Sequence, residues 1–237
     1  MNKNNSQKII NKVREDYNLI AKEWDLSRNR FSNLKVFLIT DINSGDKVLD
    51  LGCGNAFLLP LILDKGARYV GFDLSEKLIE ISKNKYEKEI ENGQAEFVIG
   101  QATELPFKDD EFDFVISFAV LHHIPSRELQ EKYFQEIKRV LKSNAKVKIS
   151  VWNLFSEWPN KRFDIESQLA GKKSGDAIVP WKATSGKIVE RYIYQFSKEE
   201  LFSLAERAGF KNIKLDYFNR AGEKVDNGEE LVLEMEK

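Results

Sequence analysis

A glycine-rich turn and a later aspartate carry the clearest chemical signal in the sequence. The segment DLGCGNA at residues 50–56 follows an apolar, strand-like run and precedes a helical one. Glycines at such a turn let the backbone change direction sharply and pass close to a ligand. Asp73 ends the next apolar run, where a carboxylate can accept hydrogen bonds from both hydroxyls of a ribose. The pattern predicts a nucleotide-type cofactor, and its identity stays open here because dinucleotide-binding folds use a related turn.

Short apolar runs alternate with amphipathic segments on both sides of this turn. Helices are predicted at residues 9–24 and 31–39, before the turn, and at 57–64, 75–90 and 126–141 after it. Strands are predicted at residues 47–51, 68–72, 95–99, 112–118 and 146–151. An extended run at 188–196, a helix at 198–208 and strands at 212–217 and 230–235 close the chain. This alternation is typical of an α/β fold with a parallel sheet covered by helices.

The chain is predicted to form one domain, since 237 residues with 42% hydrophobic content can bury a full core. We expect N-terminal helices over residues 1–45, a cofactor-binding core over 46–151 and a C-terminal part of the sheet over 191–237. Prolines and glycines interrupt the alternation after residue 151. Residues 152–190 are therefore predicted to be an insertion on the substrate side of the sheet.

Composition excludes several classes of protein. The single cysteine, Cys53, rules out a disulfide framework and a cysteine-based zinc site within the chain. No window approaches the roughly 18 apolar residues of a membrane span and no signal peptide is evident, so we expect a cytoplasmic protein without membrane contact. The net charge of −1 argues against a nucleic-acid binder recognised by overall charge, but a local basic patch is compatible with it.

The turn resembles the first motif of class I S-adenosylmethionine-dependent methyltransferases, Asp-x-Gly-x-Gly-x-Gly, with Ala56 at the last glycine. Ala56 is expected to be small enough to keep helix and strand close. Residues 100–107 and 111–117 resemble the adenine-side loop and the fourth strand of the same family, with Gln101 where an aspartate is usual. The resemblance implies a Rossmann-like fold, a mostly parallel sheet of seven strands with helices on both faces, and an insertion after the fifth strand. It also implies S-adenosyl-L-methionine as the cofactor, held by Asp50, Gly52, Cys53, Gly54, Asn55, Asp73, Leu74, Gln101, Ala102 and Phe118.

Further segments resemble the methyltransferases that esterify 5-carboxymethyluridine at the tRNA wobble position, including the methyltransferase domain of the AlkB-homologue enzyme. The segments are Tyr17-x3-Ala21-x2-Trp24-x3-Arg28 and residues 118–124, 176–181 and 191–196. The chain departs from that family at Ile193 and Tyr194 and at residues 228–230, which read Gly-Glu-Glu instead of Gly-Asn-Trp.

This second resemblance implies chemistry based on positioning. A carboxylate, whose ordinary pKa is about 4, is ionised near neutral pH and is itself the nucleophile, so no strong base is needed. A guanidinium grips a carboxylate through two hydrogen bonds, which nominates Arg28 and Arg191 as catalytic clamps. His122 is expected to hydrogen-bond the substrate, or else to be a structural histidine. Tyr17, Trp181 and Tyr192 are expected to bind substrate, the last two by stacking on the wobble base, although Trp181 could instead pack the insertion against the sheet.

The resemblance implies two partners, tRNA and a small zinc-binding activator subunit that pairs along a sheet edge. A basic rim formed by Lys161, Arg162, Lys172, Lys173, Lys182 and Lys187 is expected to contact the RNA. Two other hypotheses stay open at this stage. The chain could methylate a small molecule, or it could be a catalytically silent scaffold with a cofactor fold.

Overall fold

The computed structural model describes residues 3–27, 33–171, 175–219 and 221–237. Its helices are α1 Lys3–Ser27, α2 Asn33–Leu38, α3 Leu59–Asp64, α4 Glu76–Lys85, α5 Glu87–Glu91, α6 Arg127–Val140, α7 Glu157–Phe163, α8 Ile165–Leu169 and α9 Lys198–Ala208, and a 3-10 turn spans Leu121–His123. Its strands are β1 Lys47–Leu51, β2 Arg68–Asp73, β3 Ala95–Ile99, β4 Phe112–Phe118, β5 Leu141–Trp152, β6 Asp176–Lys182, β7 Ile188–Tyr194, β8 Lys211–Phe218, β9 Lys224–Val225 and β10 Glu230–Glu236.

The main sheet has the order β3-β2-β1-β4-β5-β10-β8-β9. Strands β1 to β5 are mutually parallel, and β10 runs antiparallel between β5 and β8. After β1, the chain adds β2 and then β3 on one side of it. The chain then crosses to the other side of β1, where it adds β4 and then β5. The carboxyl ends of β1 and β4 therefore border the crevice where open α/β sheets bind ligands.

Helices cover both faces of this sheet, as predicted for the Rossmann-like α/β class. One apolar core includes Phe134 of α6 and Leu204 of α9. The core on the opposite face includes Leu38 of α2, Ile62 of α3 and Ile79 of α4. Helix α1 packs against α4 and β7 and so lies across the carboxyl edge of the sheet. Among the described residues, no helix is long and apolar enough to cross a membrane.

The predicted count of seven strands is wrong by one, because the two-residue strand β9 pairs with the end of β8. Two residues are too few to show an alternating pattern in sequence. The helix predicted over residues 75–90 begins as expected, with the Ser75 hydroxyl accepting from the Leu78 N–H at 3.2 Å. It divides into α4 and α5 at Tyr86, whose φ of −121° lies outside the helical region.

The predicted insertion is more regular than its prolines and glycines suggested. It contains α7, α8 and a separate two-stranded sheet of β6 and β7. Pro180 lies within β6, which among the described strands pairs with β7 alone, so the missing N–H of the proline does not interrupt a second ladder. The boundary expected between residues 190 and 191 falls inside β7, since the hairpin continues to Tyr194.

Candidate active site

A cavity of about 650 Å³ opens at the carboxyl ends of β1, β2, β4 and β5. All the residues predicted to hold the cofactor line it, and so do Tyr17, His122 and Arg191. These residues come from positions 17 to 191 of the chain, and the topology of the sheet brings them to one edge. The structure thus joins the glycine-rich turn to three of the six predicted catalytic and substrate-binding residues in one cavity.

The glycine-rich turn is shaped by hydrogen bonds to β2 and by its backbone angles. The N–H groups of Gly52 and Cys53 donate to the Phe72 carbonyl at 2.6 and 3.0 Å. Gly52 has φ of +81°, and a Cβ there would lie 2.1 Å from the Val120 Cγ2 atom. Glycine is therefore required at this position both by conformation and by the approach of the strand β4 exit.

Ala56 is also in the left-handed region, with φ of +53°. Close packing was the reason expected for a small residue at this position, and the structure adds a conformational one. An L-residue in that region costs roughly 1–2 kcal/mol, a cost that glycine avoids. The substitution of alanine for the usual glycine therefore introduces local strain into the cofactor loop.

Two carboxylates line the cavity beside this turn, Asp73 half-buried and Asp50 buried. Asp73 accepts hydrogen bonds from the N–H groups of Gly54 and Ser75, both at 2.8 Å, while burial raises its pKa. Asp50 is 2% exposed and accepts one hydrogen bond from the Tyr69 hydroxyl at 2.8 Å. Burial, opposed by that bond and reinforced by the charge of Asp73, raises the pKa of Asp50 to about 7. Carboxylates desolvated in this way favour a ligand that brings cations or hydrogen-bond donors.

A buried guanidinium also lines the cavity. Arg191 of β7 is 3% exposed, with its Cζ atom 5.0 Å from the Trp152 ring centroid and 5.9 Å from that of Trp24. Its Nε has no acceptor, and no carboxylate among the described residues forms an ion pair with it. A buried cation without a counter-charge is costly unless a ligand supplies the anion. The two aromatic faces compensate only part of that cost.

His122 lies beside Arg191, in the 3-10 turn that follows β4. Its imidazole is 1% exposed, and Nδ1 accepts a hydrogen bond from the Trp152 N–H at 3.1 Å. The proton of the neutral ring is therefore on Nε2. Burial, with the charges of His123 and Arg191, holds its pKa well below the usual value. His122 can donate a hydrogen bond from Nε2, but it is a poor general base.

The neighbouring His123 links two elements around the cavity. The Tyr17 hydroxyl of α1 donates to His123 Nε2 at 2.9 Å, and His123 Nδ1 donates to the Tyr192 carbonyl of β7 at 2.7 Å. Burial lowers the pKa of His123 to about 4, so the ring is neutral at physiological pH. This chain of hydrogen bonds fixes α1 and β7 on either side of the site.

Comparisons with known proteins bear on what this cavity does. Residues 49–149 match the family model described as a methyltransferase domain. A protein of Encephalitozoon cuniculi named as a methyltransferase is 31% identical over 202 residues, which make up 84% of this chain and 87% of that protein. The chain belongs to the class I S-adenosylmethionine-dependent methyltransferases. Its cofactor is S-adenosyl-L-methionine, so the hypothesis of a catalytically silent scaffold falls away.

Two other similar proteins have names that mention an acceptor or a partner. The tRNA (carboxymethyluridine(34)-5-O)-methyltransferase of Arabidopsis thaliana is 29% identical over 188 residues, 79% of this chain but 39% of that protein's own length. The methyltransferase solved in complex with the Trm112 methyltransferase activator, from Haloferax volcanii, has a TM-score of 0.66 at 17% identity. That likeness covers 93% of this chain and 96% of the Haloferax chain, and it concerns the fold alone.

The cavity of the methyltransferase fits its cofactor. Asp73 would hold the ribose hydroxyls, and Asp50, whose buried carboxylate has a single hydrogen bond, would hold the ammonium of the methionine moiety. Gln101 and Ala102 line the part of the cavity where the adenine-side loop follows β3. When bound, S-adenosylmethionine supplies an electrophilic methyl group. Among the described residues, no group of three or more His, Cys, Asp or Glu side chains is arranged to hold a metal ion.

The raised pKa of Asp50 leads to a prediction about stability and pH. Because its pKa is about 7 in the folded state and near 3.8 unfolded, its contribution makes the free energy of unfolding fall as pH rises from 4 to 7. We expect Asp50→Asn to be more stable than the wild type at pH 8 by about 2–4 kcal/mol, a difference that narrows towards pH 4. Urea denaturation at both pH values measures it.

The same substitution is expected to weaken binding of S-adenosylmethionine at pH 8, since the amide carries no charge for the ammonium. The exposed Asp64 provides the control, and Asp64→Asn should leave both properties unchanged. Parallel stability curves for Asp50→Asn and wild type from pH 4 to 8 would show that the Asp50 carboxylate is not desolvated.

Two predicted substrate residues, Tyr192 and Trp181, do not line the cavity. Tyr192 is 6% exposed, and its hydroxyl donates to Asp176 Oδ1 at 2.5 Å. Successive residues of a strand point to opposite faces, so Tyr192 cannot share the cavity with Arg191. Trp181 lies in β6, the strand farther from the site, and its ring packs 6.0 Å from that of Trp24. Trp181 thus packs the insertion against α1, whereas the alternative considered for it was packing against the sheet.

Arg28, the other predicted clamp, lies outside the described residues. The cavity wall also includes side chains that were not assigned a role from sequence, namely Trp24, Lys35, Trp152, Trp158, Glu229 and Glu230. Trp152 could have been found from its position, because it ends a parallel strand where such sheets place their ligands. The others come from α1, α2, the insertion and the start of β10. Trp24, Glu229 and Glu230 lie in segments that were compared with the carboxymethyluridine family, but the comparison assigned them no role.

Proposed function

We propose that the methyltransferase esterifies the carboxylate of 5-carboxymethyluridine at the wobble position of tRNA. The observation that carries the proposal is the buried guanidinium of Arg191, which faces the cavity without a counter-charge among the described residues. A carboxylate is the acceptor that neutralises it and binds it through paired hydrogen bonds. The name of the Arabidopsis relative supports the choice of carboxylate, although the match spans less than half of that protein.

The residues around Arg191 suit an acceptor that arrives already ionised. A carboxylate needs no base, and His122 is placed to donate from Nε2 and is poorly suited to remove a proton. Arg191 would orient the acceptor while His122 binds one of its oxygens. Trp24 and Trp152 would exclude water from the pair. Holding reacting atoms about 3–3.5 Å apart in a dry site is the main catalytic contribution expected of such an enzyme.

A basic surface on the insertion would also contribute to recognition of tRNA. Lys182 and Lys187 are exposed on either side of the turn of the β6–β7 hairpin, and Lys161 and Arg162 lie on α7. Lys161 is ion-paired with Glu157 at 2.6 Å, which reduces its share of the surface charge. Lys172 and Lys173 lie outside the described residues. Phosphate contacts of this kind predict RNA affinity that falls steeply with salt.

The experiment that tests the proposal uses anticodon stem–loop RNA with one of two wobble nucleosides. With S-adenosylmethionine, RNA carrying 5-carboxymethyluridine should gain a methyl ester detected by mass spectrometry, and RNA carrying 5-methyluridine, which has no carboxylate, should not. In cells lacking the protein, free 5-carboxymethyluridine should accumulate at the wobble position. Failure of filter binding at low salt together with an unchanged nucleoside profile would refute the tRNA assignment.

We further propose that a small zinc-binding activator pairs with the outer edge of β3. The sheet ends at β3 on one side and at the two-residue β9 on the other. The five residues of β3 have no neighbouring strand on their outer side among the described residues, and Ile99 at the end of β3 is 46% exposed. The activator in the Haloferax complex supports such a partner. Solubility and activity that do not change on co-expression would argue against it. The proposed substrate and partner imply a cytoplasmic location.

A second candidate function is methylation of a small molecule on the same fold. Glu229 and Glu230 line the cavity, and a carboxylate could serve as the base that an amine or hydroxyl acceptor needs. That acceptor would not require Arg191. Activity on a small amine or phenol that survives Arg191→Met, without activity on the stem–loop RNA, would favour this candidate.

A further inference from the structure

One tryptophan at the mouth of the active-site cavity stays strongly exposed. Trp158 lies in the first turn of α7, lines the cavity and is 41% exposed. Trp24, Trp152 and Trp181 are each more buried. Trp24 and Trp152 flank Arg191 inside the cavity, and Trp181 lies outside it. Trp158 is therefore the tryptophan that offers a large apolar ring to a ligand entering from solvent.

Neighbouring side chains of α7 brace the Trp158 ring. The Phe163 ring meets it edge to face, with centroids 5.7 Å apart and planes at 88°. The Arg162 guanidinium lies 5.4 Å from the Trp158 ring centroid and 5.6 Å from that of Phe163. A fixed aromatic ring next to an exposed cation is a common way to bind an unstacked base and its adjoining phosphate.

We propose that Trp158 is the stacking platform for the nucleobase of the acceptor, a role expected from sequence for Trp181 and Tyr192. This assignment rests on the proposed function. To reach the cavity the wobble base must leave the anticodon stack, and a planar ring at the cavity mouth compensates the lost stacking. Arg191 then holds the carboxylate deeper in the cavity while Trp158 holds the ring at its entrance, which selects acceptors that combine a carboxylate with a flat base.

A double-mutant cycle between protein and RNA tests the assignment. The affinities of wild type and Trp158→Ala are measured for stem–loop RNA with 5-carboxymethyluridine and for the same RNA with an abasic wobble position. We expect Trp158→Ala to weaken binding of the first RNA by about 10- to 100-fold. Binding of the abasic RNA should change little, because the partner of the indole is already absent. Trp158→Phe should restore most of the affinity.

Phe155 provides a matched control, since it is 45% exposed on the same segment but does not line this cavity. Phe155→Ala should leave RNA affinity unchanged, and binding of S-adenosylhomocysteine should be equal in all variants if they are folded. An equal loss for both RNAs in Trp158→Ala, or no loss for either, would overturn the stacking role while leaving the esterification intact. Absence of RNA binding by the wild type would overturn the proposed function and this assignment together.

Discussion

Replacing Arg191 with methionine is expected to abolish methyl transfer and, at the same time, to stabilise the fold. The guanidinium is the group proposed to orient the acceptor carboxylate, so its loss should lower kcat/KM by about 10³-fold. Its burial without a counter-charge costs free energy in the unliganded protein, and an apolar side chain of similar volume should raise the free energy of unfolding by about 1–2 kcal/mol. Methyl-transfer assays and urea denaturation measure the two effects.

A fall in kcat/KM together with a rise in the free energy of unfolding distinguishes a functional arginine from a structural one. A structural Arg191 would lose stability with activity, and that outcome would refute the clamp. Arg207 provides the control because it forms an exposed ion pair with Glu131 at 3.0 Å, so Arg207→Met should change neither property measurably. Binding of S-adenosylmethionine should be retained in Arg191→Met, because Arg191 is not among the residues expected to hold the cofactor.

Replacing Asp73 with alanine is expected to weaken binding of S-adenosylmethionine by 100-fold or more, about 3 kcal/mol. The sequence predicts the loss of hydrogen bonds to the ribose. The structure adds a second cause, because the same carboxylate accepts the N–H groups of Gly54 and Ser75 and so holds the glycine-rich turn against the start of α4. Isothermal titration calorimetry measures the change in affinity.

Asp64→Ala, at an exposed carboxylate on the end of α3, is the matched control and should bind the cofactor as the wild type does. An Asp73→Ala variant of normal affinity would mean that the ribose lies elsewhere in the cavity. Asp73→Asn should bind S-adenosylmethionine more tightly than Asp73→Ala but less tightly than the wild type. The carboxylate accepts two backbone N–H groups with its two oxygens, whereas an amide has a single acceptor oxygen.

The cofactor site could be predicted from sequence because its determinants are local. Gly52, Gly54 and Asp73 occupy positions that the order of strand, turn and helix dictates, and parallel strands align their carboxyl ends. The same regularity predicted β1 to β4 and α9 closely, whereas β5 begins at Leu141, five residues before its predicted start. It could not show why residue 56 favours glycine, because the positive φ of Ala56 depends on how the turn meets β2.

The acceptor side was decided by tertiary structure. The sequence identified Arg191 and its neighbour Tyr192 together, but the alternation of a strand allows only one of them to face the cavity, and the packing of β7 against α1 selects Arg191. His122 was correctly placed at the end of β4, yet its inability to act as a base follows from the Trp152 N–H, which β5 supplies. Trp158 enters the site only because the insertion folds back over the edge of the sheet. Contacts between segments far apart in sequence leave no regular spacing that a sequence could reveal. The sequence by itself therefore determined the cofactor and the fold. The packing of α1, β7 and α7 determined which side chains meet the acceptor.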